Sequence, residues 1–248
     1  MSDTTEVSPA ETLPTHLYLI RHGQAVVNVT PILGGMKGDT GLTDTGREQA
    51  GRLRDRLIAT REIKADVLLA STLPRAMETA QIIAPALGLP IIPDDDLHEL
   101  RVGPEADGLS LDEYRKRFGW VDLTREPLRP VDPGGESWAM FQLRVAITLN
   151  RIVTEYAGKT VVIVAHGGII DSSFIYFFGM NAHAVPAARF HTSNTSITHW
   201  ERRMNHGRLQ WRLAKYNDDL HLLGLSGTTP YDWTKVLPLP LKLPDANG

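Results

Sequence analysis

Two arginines and two histidines stand where apolar runs of the chain end. His16 to Ile20 leads into Arg21-His22-Gly23-Gln24, Asp66 to Ala70 into Ser71-Thr72-Leu73-Pro74-Arg75, and Thr160 to Ala165 into His166-Gly167-Gly168. Open parallel sheets bind ligands outside the carboxyl ends of their strands. If these three runs are neighbouring strands, Arg21, His22, Arg75 and His166 converge on one spot. Arg75 then falls in the first turn of a helix, where free backbone N–H groups and the helix dipole favour an anion. The glycines behind each histidine let backbone and ligand approach closely. The guest that suits such a cluster is a phosphoryl group, because two guanidinium forks can each grip its oxygens without Mg²⁺.

The elements that must position these residues follow from pattern. Short apolar runs alternate with longer helical patterns, the mark of an α/β fold. Thr45 stands three residues ahead of Glu48, a capping-box spacing, and opens a helix with Ala50, Leu53 and Leu57 on one face. Ser71, Thr72 and Pro74 start a second helix that should run to Gly88, and Leu89 to Ile92 reads as a third strand. Trp138, Phe141, Val145, Leu149, Ile152 and Tyr156 step by three and four, so Ser137 to Tyr156 is a long amphipathic helix. Thr160 to Ala165 is apolar throughout, as in a strand covered on both faces. Ser196 to Trp200 and Leu209 to Tyr216 flank Asn205-His206-Gly207 and read as an edge hairpin.

The expected architecture is a three-layer α/β sandwich with a mostly parallel central sheet over residues 15–227. The stretch 94–135 is rich in mixed charge, Gly and Pro, and reads as an insertion on the substrate side. Its one clear helix has Ser110 three before Glu113, with Leu111, Tyr114 and Phe118 on a common face. Residues 1–14 are a polar lead-in expected to be poorly ordered. The tail 228–248, with Pro230, Pro238, Pro240 and Pro244, should be extended.

In the order in which they occur, these motifs resemble the histidine phosphatase superfamily, also called the phosphoglycerate mutase-like family. The likeness runs through Leu19-Ile20-Arg21-His22-Gly23-Gln24, Asn28, Leu42-Thr43 with Gly46, Ser71 to Ala76 with Thr79, and Leu97-His98-Glu99. It continues through Gly135-Glu136-Ser137, Ala165-His166-Gly167, Asn194 to Ile197 and Asn217 to Leu222. The resemblance implies that His22 is the residue phosphorylated. It implies that Arg21, Arg75 and His166 complete the phosphate pocket, that Asn28 is a neighbouring polar contact, and that Glu99 is the proton donor to the leaving oxygen. Positive neighbours would keep a ring nitrogen of His22 unprotonated for attack. Glu99 would then protonate the departing alkoxide and later take a proton from water.

The function expected is metal-independent hydrolysis of a phosphate monoester through a phosphohistidine, with no cofactor and a small phosphorylated molecule as partner. Two alternatives stand beside it, a phosphoglycerate mutase using the same site and an inactive phosphate-binding or interaction module. The interval from Glu99 to Gly135 is short, and it lacks the tyrosine and paired-arginine pattern with which the resembled mutases grip a sugar acid, which favours the hydrolase. Asp94, Asp95 and Asp96 rival Glu99 as the acid, and Arg75 has Glu78 as an alternative partner on its own helix. Arg101, Arg115, Lys116 and Arg117 are candidate contacts to a second anionic group, with solvated helix charges as the simpler reading. A zinc site on His22, His166 and Glu99 is disfavoured because two arginines would repel the cation. The other histidines, His16, His98, His183, His191, His199, His206 and His221, are read as surface, packing or loop residues.

Bulk composition narrows the rest. A chain of 248 residues with 42% apolar content can bury a sizeable core. It has no cysteine, which excludes disulfides, thiolate metal sites and a cysteine nucleophile. A net charge of −3 gives no global field toward nucleic acid or anionic membrane. No apolar run approaches the ~20 residues of a membrane span, so a cytoplasmic location is the expectation. Oligomeric state is not legible in the residues.

Overall fold

Six strands form one sheet in the order β3-β2-β4-β1-β5-β6 in the computed structural model, which describes residues 13–186, 188 and 190–225. The strands are β1 (Thr15–Arg21), β2 (Val67–Ser71), β3 (Ile91–Asp94), β4 (Thr160–Ala165), β5 (Ile197–Asn205) and β6 (Arg208–Asp218). The first four pair in parallel, while β5 runs antiparallel to β1 and closes a hairpin with β6. β4 sits between β1 and β2, so the three runs that carry the arginines and histidines are indeed adjacent. The Pro-rich tail, and all of the expected lead-in except Leu13 and Pro14, lie outside the described residues.

Helices cover both faces. They are α1 (Val26–Val29), α2 (Asp44–Thr60), α3 (Pro74–Leu87), α4 (Leu111–Phe118), α5 (Trp138–Glu155) and α6 (Gly167–Phe177). Alternate residues of β4 divide between the faces, as a strand's period of two requires. Val161, Ile163 and Ala165 pack with Phe141, Val145, Leu149, Ile170 and Phe174 of α5 and α6. Val162 and Val164 pack with Leu53 and Leu57 of α2 and Ala76, Ala80 and Ile83 of α3. Burial on both sides explains why β4 reads as an unbroken apolar run. At ~1.5–3 kcal/mol for each large buried side chain, this double interface fixes where β4 ends.

Two details differ from the sequence reading. Helix α2 begins at Asp44, and its cap is Thr43, whose Oγ1 accepts the Gly46 N–H at 3.0 Å, not Thr45. Glu48, the expected capping-box partner, instead pairs with Arg52 at 3.1 Å. Helix α6, directly after His166, has no apolar periodicity because both its faces meet neighbours, and pattern alone passes over it. In the insertion, Ser110 and Glu113 do form a reciprocal capping box on α4.

Candidate active site

The site is built on the carboxyl ends of β2, β4 and β1. Arg21 stands opposite Ala165 in the parallel register, and the His22 N–H donates to the Ala165 carbonyl at 2.9 Å. This places the His22 and His166 rings side by side, with centroids 5.2 Å apart. Nδ1 of His22 lies 2.6 Å from its neighbour's carbonyl, Gly23 O, which can only accept. Nδ1 therefore carries the proton, and Nε2 holds a lone pair. Arg75 donates from Nε to that lone pair at 3.2 Å.

Arg75 is the second residue of α3, as the Pro74 signal implies. Its partner is not Glu78 but Asp39, at 2.7 Å, and both side chains are buried. Asp39 also accepts the backbone N–H groups of Arg75 and Gly41, and Arg75 Nη1 donates to the Gly34 carbonyl at 3.0 Å. Glu78 turns away to Arg47 and the Leu42 N–H. Sequence reasoning missed Asp39, which lies in a loop with no motif or periodicity to mark it. It also gave no role to Asn194, whose Nδ2 donates to the His22 carbonyl at 2.9 Å. Asn28 spends its Oδ1 on the Ala25 N–H, within its own turn.

Two buried nitrogens in this pocket have no protein partner, Arg21 Nε and His166 Nδ1. Arg21 donates from Nη1 to the Thr192 carbonyl, and His166 Nε2 meets Ser71 Oγ at 2.8 Å. An unpaired buried polar atom is costly, and two of them beside a guanidinium suit an anionic guest. Burial, reinforced by Arg75 and Arg21, holds His22 well below the ordinary imidazole value of 6.5. Burial, then Arg75 and His22, does the same to His166.

Glu99 lies on the far side of this pocket. One carboxylate oxygen accepts the Gly168 N–H at 2.9 Å, at the start of α6, and the other accepts the Leu100 N–H at 3.0 Å. A Cβ on Gly168 would fall 2.0 Å from Glu99 Oε1, so any larger residue there would displace that carboxylate. Two of the glycines also make room for protein groups. Gly168 admits Glu99, and Gly23 admits the Gly46 carbonyl, 2.5 Å from where its Cβ would be. The Glu99 segment has no regular structure, and Arg144 of α5 straps it down. Arg144 donates to the carbonyls of Asp96, His98 and Glu99 and forks onto Glu136 at 2.7 and 2.8 Å. Of the rival carboxylates, Asp94 pairs with Arg151, Asp95 accepts from Thr72, and Asp96 lies near Arg101.

The sequence profile of the histidine phosphatase superfamily, branch 1, matches residues 17–219. The chain belongs to that superfamily. It is 34% identical over 177 residues to phosphoglycerate mutase-like protein 4 of Arabidopsis thaliana, covering 69% of this chain and 73% of the relative. It is 32% identical over 183 residues to a 2,3-bisphosphoglycerate-dependent phosphoglycerate mutase of Methylobacterium sp. (strain 4-46), covering 71% and 86% of the two chains. Among solved structures it is similar to a phosphoserine phosphatase of Entamoeba histolytica in complex with phosphoserine. There the TM-score is 0.65 at 28% identity, over 84% of this chain and 100% of the other.

As a histidine phosphatase, the molecule has a cleft that reaches its site at Arg75 and Glu99. This cleft, of about 570 Å³, is bordered by Arg75, His98, Glu99, Arg101 and the turns Gly34-Gly35 and Gly134. His98, read as a packing or loop residue, lines this cleft and holds Thr72 Oγ1 at 2.6 Å. Arg115 lies over the Trp120 ring and Arg117 pairs with Glu105, so these two behave as helix surface charges. A second, apolar cavity of about 250 Å³ lies behind Glu99, between Trp138 and Phe190.

Proposed function

We propose that this enzyme hydrolyses phosphate monoesters through a phosphohistidine formed on Nε2 of His22. The observation that carries the reading is the state of that ring: neutral, pinned through Nδ1–H, with its lone pair 3.2 Å from Arg75 Nε. When substrate enters, Arg75 turns its donors from Nε2 to the phosphoryl oxygens, joined by Arg21 and His166. Nε2 attacks phosphorus, the P–O bond to the alcohol breaks, and Glu99, entering as the acid, gives its proton to the departing oxygen. Water then attacks the phosphohistidine, loses a proton to Glu99, and the P–N bond breaks to release inorganic phosphate. Arginine charge neutralises the equatorial oxygens throughout, so the proposed route needs no metal.

One observation favours a second reading: a mutase is among the relatives covered over most of their length. In that reading the phosphohistidine returns its phosphoryl group to a hydroxyl of the bound sugar acid. The open cleft favours water as the acceptor, because a mutase must exclude it. The test is phosphate release from a panel of monoesters with chelator present, beside phosphoglycerate interconversion primed with bisphosphoglycerate. Rapid quenching should trap an acid-labile, base-stable phosphoryl group on His22, and His22→Ala should abolish turnover. Interconversion without phosphate release would favour the mutase, and a label on serine would refute both.

A further inference from the structure

The cleft that leads to the pocket differs in character from the pocket. Its walls are Val27, Ile32, Leu33, Met36, Leu100 and Val102, all apolar. The charged groups that reach it each have a partner within the protein, Glu99 through the Gly168 and Leu100 N–H groups. Arg101 donates from Nη2 to the Asp95 carbonyl at 2.6 Å, and the same nitrogen lies 3.6 Å from Asp96. Arg75 is held by Asp39. His98 bonds Thr72, and burial and the nearby Arg101 keep it below its ordinary value, hence neutral. Asp107 is seated in a backbone nest, accepting the N–H groups of Gly35, Lys37 and Gly38 at 2.8–2.9 Å. Its negative charge faces whatever occupies the cleft.

Resting on the phosphatase reading above, we propose that the substrates are phosphate monoesters of uncharged, apolar alcohols, whose hydrocarbon portion fills this cleft. A sugar acid or amino acid would bring its carboxylate against Asp107 and hydrocarbon. Among the described residues lining the cleft, the one cation outside the phosphate pocket, Arg101, is already drawn to the Asp95 carbonyl and to Asp96. Burying a charge without a partner is strongly unfavourable. An apolar group instead gains the transfer energy of the surface it covers. Met36, 55% exposed at the rim, is the position where a cation would narrow the preference without disturbing the core.

The test compares cyclohexylmethyl phosphate with 3-phosphoglycerate and phosphoserine. All three leave as poorly acidic alcohols, so the chemical step is closely matched. The full chain should release phosphate from cyclohexylmethyl phosphate with a kcat/KM roughly ten- to two-hundred-fold higher, the range a hydrophobic pocket can discriminate. Met36→Lys should shrink that ratio about tenfold, mainly through a lower KM for 3-phosphoglycerate. Equal or faster turnover of the charged esters by the parent enzyme would overturn the inference while leaving the phosphatase reading intact. So would a Met36→Lys ratio that does not move. Phosphate release from none of the esters would instead refute the phosphatase reading itself, and this inference with it.

Discussion

The proposed nucleophile and the proposed acid are held by different means. His22, His166, Arg21 and Arg75 each lie within a few residues of a strand's end, so the sheet and its two packed faces set their positions. Glu99 lies in an irregular segment, and what fixes it is a buried side chain from a distant helix, Arg144 paired with Glu136. Each end therefore contains one buried arginine–carboxylate pair, Arg75–Asp39 and Arg144–Glu136. The first orients Arg75, proposed to touch the reacting atoms. The second orients the loop that carries one.

The largest effect should come from breaking the first pair. Arg75→Ala removes the proposed donor to the transferring phosphoryl group, and should lower kcat by ~10²–10³-fold. It also leaves Asp39 buried without its cation, which should destabilise the fold by ~3–5 kcal/mol. Adding Asp39→Asn should recover part of that stability but none of the activity. Urea unfolding and single-ester kinetics on both variants check this, and recovered activity in the double variant would contradict the assignment.

The second pair should give a smaller and more selective effect. Arg144→Lys keeps the charge but loses the fork onto Glu136 and the grip on three carbonyls, a loss of ~1.5–3 kcal/mol. If the strap only positions Glu99, turnover of an alkyl phosphate should fall about tenfold while nitrophenyl phosphate, whose leaving group needs little protonation, is nearly unaffected. Equal losses on both esters would mean that Arg144 acts on the phosphate pocket as well.

The histidines allow a third comparison, by pH. His199, stacked on Tyr18 in the sheet, and His221, bonded to Thr195, are both lowered by burial to about 4. Above 6.5 neither the folded nor the unfolded chain protonates them. Between 6.5 and about 4 the unfolded chain binds protons that the folded chain refuses. Stability should therefore fall as pH drops through that window, with a slope approaching ~1.4 kcal/mol per pH unit for each histidine. The lowered values of His22 and His166 steepen the fall in the same direction. Saturating inorganic phosphate should flatten the pocket's share and leave that of His199 and His221. Urea midpoints between pH 7.5 and 4.5 would reveal it, and a flat profile without phosphate would contradict it.

What the residues disclosed, and what they did not, follows the same division. The main strands, the strand-end positions of Arg21, His22, Arg75 and His166, and the long helix α5 were legible because apolar period and strand-end motifs are local signals. Asp39 was not, since a carboxylate in a loop gains meaning only from the arginine the fold brings to it. Arg144 sits on an otherwise ordinary amphipathic helix, 45 residues beyond the segment it holds. Helix α6 hid because burial on both faces erases the periodicity that betrays a surface helix. The cap of α2 was misjudged for a subtler reason: Thr43 and Thr45 are both plausible, and the choice depends on Gln24.

That choice yields the smallest prediction. Thr43 accepts the Gly46 N–H and donates to the Gln24 side-chain oxygen at 2.8 Å, while its own N–H reaches the Gln24 carbonyl. Its backbone is extended, with φ −75 and ψ 169, as a cap requires, and Asp44 then supplies an acidic first turn. Gln24 thus ties the start of α2 to the strand end two residues beyond the nucleophile. Thr43→Ala should cost about 1 kcal/mol, with a modest rise in KM as the Gln24 turn loosens. Thr45→Ala lies inside the helix, where alanine is the better helix former, and should change stability by less than ~0.5 kcal/mol. Thermal denaturation of the two variants side by side decides between the caps. A larger loss at Thr45 than at Thr43 would restore the Thr45–Glu48 box and detach Gln24 from the helix.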